Sequence, residues 1–305
     1  MTVPSLKEVL SRPSASFIEA GAALVDAMSE WDDTKAWKLV ERHAIDPEIR
    51  SRFAQVSPQL MQAVLRHGAG LSATSSTNAI KWIEENKGRW KGILNPEANL
   101  WKRVDLSFGT AGGQIAEASA RQDRETACAL YNAFMARHDA KLAIGAWMEQ
   151  RSVYATDNYL SLLLPGQRRD CHLGYDLFAP ALTPLFAPAD GEIVQAGIID
   201  ERLDYGGFLV TRHEVESKTS IWALWGHLSH ESVLRWSKGD TVFEGKELAR
   251  MGDFEENGWW LPHLHLQLST IPFDDFRLMP GVGEYALQPI WRELFPNPQC
   301  LVMGD

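Results

Sequence analysis

Four of the nine histidines in this chain fall where they could act together. His263 and His265 form a His-Leu-His triplet inside PHLHLQLS, a segment that reads as a strand. Side chains two apart on a strand point to one face, so both imidazoles look into one surface. His172 stands four residues before Asp176 in CHLGYDLFAP, and His227 lies in LWGHLS. Zinc takes imidazole nitrogen and carboxylate oxygen, and catalytic zinc sites use three protein ligands with a fourth position open. Two histidines and one aspartate, with more histidines beside them, suit such a centre. Neither the His-x-His pair nor the His-x-x-x-Asp spacing is specific alone; the combination carries the weight.

The other histidines read as structural. His43 and His67 belong at helix ends or on the surface, His138 on a helix surface, His213 on a strand surface and His230 in a loop. Cys128, Cys171 and Cys300 are far apart, odd in number and without a C-x-x-C pair. That is the pattern of reduced thiols in a cytosolic protein.

The elements that must hold these residues divide the chain. Residues 1–100 read as helical. Ser14–Ser16 precedes an apolar-periodic stretch, Asp32 and Asp33 can cap the next, and Asp46-Pro47 opens a third that carries Ile49, Phe53, Val56, Leu60, Met61, Val64 and Leu65. HGAGLSATSST reads as a loop, and 78–90 as helix again. VDLSF is strand-like, 114–149 reads as helix, and from about 151 short apolar runs broken by Pro, Gly and Asp predict antiparallel strands. The expected class is α+β, with a helical region over 1–100 and a β domain over 101–305 that has a helical lead-in and a C-terminal extension.

With 305 residues, 45% hydrophobic and 23% charged, the composition is that of one large or two ordinary globular domains. No apolar run reaches about 18 residues, so no membrane span is expected. Residues 1–100 carry 12 basic and 12 acidic residues, so the whole net charge of −10 falls in 101–305. That acidity argues against nucleic acid as a partner. No secretory signal is read at the N-terminus, and the expected location is cytoplasmic. The oligomeric state is not legible.

A resemblance covers about 165–270. H-L-G-Y-D, then A-P-A-D-G, Y-G-G, G-H-L, G-D-T-V-F-E-G-K and H-L-H occur in that order. The order and spacing resemble the LytM/lysostaphin-type zinc metallopeptidases, with their duplicated hybrid motif fold. The resemblance implies that His172, Asp176 and His265 bind Zn2+, and that His227 and His263 flank a zinc-activated water attacking a peptide or amide carbonyl. Of these two, His263 is the expected base and His227 the expected stabiliser. Tyr205 falls in the Y-G-N slot, where Gly207 replaces the Asn. Trp259 and Trp260 stand where the family has small residues, and either could wall the substrate groove. Arg168 and Arg169 precede the metal motif, and Arg169 could bind a substrate carboxylate. Tyr154 or Tyr159 could supply a phenol. Residues 103–305 are also similar to a peptidase-like module found fused to class III aminotransferases. The expected function is a zinc hydrolase acting on a peptide. The alternatives are a cytosolic zinc hydrolase or lyase acting on a small amino compound, and a metal-binding module without catalysis.

Overall fold

A computed structural model describes residues 4–154, 157–216 and 219–303. Helices α1 (Leu6–Val9), α2 (Phe17–Ala27), α3 (Asp33–His43), α4 (Pro47–Gln55), α5 (Pro58–Gly68), α6 (Thr77–Glu85) and α7 (Pro96–Asn99) precede the first strand. Their starts follow from local chemistry. Ser5 and Ser16 form capping boxes with Glu8 and Glu19, and Asp32 and Asp46 accept backbone N–H groups at the starts of α3 and α4. The single helix expected beyond Pro47 is broken at Val56 and Ser57, both extended. Pro58 has no N–H to continue a helix, and it forces the residue before it out of the helical region. Packing of α2 on α5 is close. A Cβ at Gly21 would strike the Leu65 carbonyl, and one at Gly68 the Ile18 carbonyl.

Strand β1 (Arg103–Asp105) leads through α8 (Ala111–Ala120) and α9 (Arg124–His138) to β2 (Leu142–Gly145). This corrects the helix expected over 114–149. Asp139 in the left-handed region, at φ 48°, ends α9. The Leu-Ala-Ile-Gly run then pairs parallel with β1 and antiparallel with β4 (Tyr175–Phe178). All four β2 residues are buried, so the run lacks the alternation that would have marked it as a strand.

The remaining strands are β3 (Cys171–His172), β5 (Pro184–Phe186), β6 (Gly191–Ile198), β7 (Gly207–Glu216), β8 (Thr219–Leu228), β9 (Thr241–Val242), β10 (Glu247–Arg250), β11 (His263–Ser269) and β12 (Val282–Gly283). Helix α10 (His230–Leu234) follows β8, and α11 (Gln288–Leu294) and α12 (Gln299–Met303) end the chain. The main sheet runs β1-β2-β4-β11-β8-β7-β6-β9, with β10-β5 and β12-β3 as separate ribbons. Beyond β1-β2, the pairs are antiparallel.

Alternation divides the sheet between two cores. Leu264, Leu266 and Leu268 of β11 join Tyr175, Leu177 and Trp225 in a cluster that includes Ala79 and Ile83 of α6. On the opposite side Phe208, Val210 and Leu224 pack with Phe17, Leu24, Met61 and Leu65 of the first helices and with Trp291 of α11. A smaller cluster under α8 and α9 takes in Phe108, Phe178 and Phe254. Burying each large apolar side chain contributes about 1.5–3 kcal/mol. Helices before residue 100 thus share both main clusters with the sheet. Among the described residues no helix is long and apolar enough to cross a membrane.

Candidate metal centre

Register brings the motif residues together. His265 on β11 lies opposite Asp176 on β4 on one side and Gly226 on β8 on the other. A bend at Gly174, between β3 and β4, sets His172 beside Asp176. Gly174 is obligatory there, because a Cβ would fall within the His265 ring. His172 Nε2 lies 3.1 Å from Asp176 Oδ1, Asp176 Oδ1 lies 3.1 Å from His265 Nδ1, and the two ring nitrogens are 3.1 Å apart. All three residues are buried.

The hydrogen-bond partners fix which atoms face the centre. His172 Nδ1–H donates to the Ala146 carbonyl at 2.9 Å, leaving the Nε2 lone pair inward. His265 Nε2–H donates to Gln267 Oε1 at 3.0 Å, leaving the Nδ1 lone pair inward. Asp176 Oδ2 accepts from Arg151 Nη1 at 2.9 Å, leaving Oδ1 inward. In the tautomers these partners select, three lone pairs converge, an arrangement that suits a cation. The three atoms lie close enough together to hold one zinc ion, whose bonds to nitrogen run about 2.0–2.1 Å and to oxygen about 2.0–2.2 Å. Backing hydrogen bonds of this kind orient metal ligands. Burial pulls His172 down to about 4, so its ring is a neutral donor near pH 7. Burial alone would raise the Asp176 carboxyl, but His172 and Arg151 hold it well below the usual range.

His227 and His263 stand beside this triangle, ring centroids 4.2 Å apart. His227 occupies the left-handed region at φ 63°, where the β7-β8 register shifts between Gly207 and Leu209. The bulge turns its ring into the site. Its Nδ1–H donates to the Asn257 carbonyl at 2.9 Å, and that of His263 to the Leu261 carbonyl at 2.7 Å. Each thereby keeps an Nε2 lone pair. His263 Nε2 is 3.9 Å from Asp176 Oδ1, and its ring stacks on Phe178. Burial lowers His227 well below its ordinary value and His263 to about 4.

A cavity of about 560 Å³ opens over these groups. Tyr205, Arg169 and Trp260 line it, as do Tyr154 and Tyr159. Trp259 does not reach it; its ring packs 6.1 Å from Phe254 beneath α8 and α9. Tyr205 donates its hydroxyl to the Met279 carbonyl at 3.2 Å. Arg168 pairs with Asp157 at 3.4 Å. Cys171 faces Met148 Sγ-to-Sδ at 3.6 Å and is no part of the triangle. His213, expected on the surface, is 1% exposed. It bonds the Asp190 carbonyl and the Thr211 hydroxyl beneath Trp90, so the helical region covers it. His230 begins α10 instead of sitting in a loop, and its N–H donates to Glu256.

Sequence reasoning missed the supports. Gln267 was findable, two residues past His265 on the same strand face. Arg151 was not. Its Nε donates to Glu149 at 3.0 Å, Glu149 accepts from the Phe108 N–H at 2.8 Å, and the guanidinium lies 3.8 Å over the Phe108 ring.

Residues 170–274, about a third of the chain, match the model of Peptidase family M23, and this stretch carries His172, Asp176, His227, His263 and His265. Among solved structures, a zinc-containing peptidase from Vibrio cholerae is 25% identical over 34% of this chain and 28% of its own, with a TM-score of 0.27. The catalytic domain of the prophage-encoded protein EnpA from Enterococcus faecalis is 27% identical over 35% of this chain and 75% of its own, TM-score 0.28. That of lysostaphin from Staphylococcus simulans is 22% identical over 41% and 83%, TM-score 0.29.

Proposed function

We propose that this chain, from its metallopeptidase-like domain, is a zinc-dependent hydrolase of peptide or amide bonds. The observation that carries the reading is the convergence of His172 Nε2, Asp176 Oδ1 and His265 Nδ1 within 3.1 Å of one another. These three would hold zinc, which when bound supplies Lewis acidity at an open coordination position. His263, nearer the triangle and with its Nε2 unprotonated, takes the proton from the attacking water. His227 has its only ring N–H committed to Asn257. It therefore stabilises developing negative charge only after gaining a proton at Nε2, so its role follows that of His263 in time. Tyr205 and Trp260 bound the cavity and orient the substrate.

A cavity of about 560 Å³ suits a small molecule, and this favours a small amino compound over a long polymer. The three unpaired cysteines support a cytoplasmic setting. Elemental mass spectrometry on protein purified without chelator tests the reading, together with hydrolysis of a panel of peptides and amides. Wild type should carry about one zinc and His265→Ala little, while His263→Ala should keep the metal and lose turnover. Wild type that takes up no zinc when supplied with it would end the proposal.

A further inference from the structure

A second cavity, of about 360 Å³, adjoins the first; Gln55, Asn158, Arg169 and Pro280 line both. It is walled largely by aliphatic side chains, among them Leu60, Leu162 and Leu163. Besides Asp157, which pairs with Arg168, the fold sets a buried carboxylate into this wall. Glu284 is 1% exposed. Its Oε1 accepts from the Ser161 hydroxyl, while Oε2 has no partner. Ser161 is itself fixed by the Leu163 and Leu164 N–H groups. At the junction of the two cavities, Arg169 donates from Nη2 to the Asn158 carbonyl, and its buried Nε has no partner.

A buried polar atom left without a partner costs free energy of about 1–3 kcal/mol, more for a charged group. Two such groups of opposite sign line one small cavity and are not bonded to each other. Burial also pushes the Glu284 carboxyl up, a strain that a cation beside it would relieve. The mechanism described above uses neither group.

We propose that the second cavity binds a free α-amino-acid head, its ammonium at Glu284 and its carboxylate at Arg169, with an aliphatic portion against the leucine wall. The proposal rests on the hydrolase reading only in naming the substrate: an amide that carries such a head, its scissile bond in the metal cavity. An internal stretch of polypeptide has neither charge to offer and would not satisfy both groups.

Isothermal titration calorimetry of the full chain tests this with L-leucine, N-acetyl-L-leucine, which lacks the ammonium, and L-leucinamide, which lacks the carboxylate. L-Leucine should bind, and loss of either charge should weaken binding about tenfold or more. Arg169→Met should bind L-leucine and L-leucinamide alike, and Glu284→Gln should bind L-leucine and N-acetyl-L-leucine alike. Arg169 is half-buried at a cavity mouth, so its variant stays informative if Glu284→Gln fails to fold. Titrations repeated after chelation should still show L-leucine binding, which separates this site from the metal reading. Absence of L-leucine binding, or equal affinity of wild type for all three compounds, overturns the proposal.

Discussion

The metal triangle and the wall of the adjoining second cavity are held in opposite ways. Each inward atom of the triangle has a partner fixing its other side: Ala146 for His172, Gln267 for His265, Arg151 for Asp176. On the wall, Arg169 and Glu284 each keep one buried polar atom unmatched. A set whose rear atoms are all satisfied is rigid and presents one geometry, which a metal with short, directional bonds requires. A set with unmatched atoms has its last partner still to come, which suits a ligand that arrives and leaves. The contrast lies in the inward-facing groups themselves, since Arg151 Nη2, behind the triangle, is also without a partner.

The sharpest way to break this contrast is at the triangle. His265→Ala removes a donor and should abolish zinc retention, read as zinc per chain after dialysis. Gly174→Ala should do nearly as much damage without touching a ligand, because its Cβ needs the space of the His265 ring; a folded variant with full zinc would refute the packing argument. Arg151→Met should come next. It frees Asp176 Oδ2 and should weaken zinc binding about 10–100-fold, measured by competition with a chromophoric chelator, while Arg151→Lys should restore part of it.

Acid offers a smaller test of the same rigidity, on the metal-free protein. Burial lowers His172 and His263 to about 4, and lowers His213 as well. Unfolding returns each to an ordinary value of about 6.5, so the unfolded chain binds more protons between those limits. Stability should be full above pH 6.5 and fall as pH drops toward 4, seen as a declining denaturation midpoint. A midpoint flat across that window would contradict it. The smallest effect divides the two tryptophans. Trp260→Ala should raise KM, whereas Trp259→Ala, whose ring lies under α8 and α9, should lower thermal stability and leave KM unchanged.

Much of the centre was legible because it is local. His172 and Asp176 sit four residues apart, and His263, His265 and Gln267 alternate along one strand face. The helix starts at Ser16, Asp32 and Asp46 were legible for the same reason, since a cap needs only its next three residues. The break at Pro58 was written in the sequence too, though the apolar periodicity across it concealed it. β2 was hidden because a strand buried on both faces has no period.

What the sequence determined by itself, then, is that His263 and His265 share one strand face and that His172 stands close to Asp176, since residue type and spacing within a strand or turn decide which side chains can meet; the choice of His172, Asp176 and His265 as the ligand set came with the family resemblance. The tertiary structure alone decided how those ligands are backed. Arg151 reaches Asp176 only after the chain has passed through β2, and His213 is buried only because Trp90 from the helical region closes over it. It also brought Arg169 and Glu284 to one cavity beside the metal centre, across 115 residues of chain. These contacts join segments far apart in sequence, and their closeness depends on how both sheet faces are covered, which no local pattern of residues encodes.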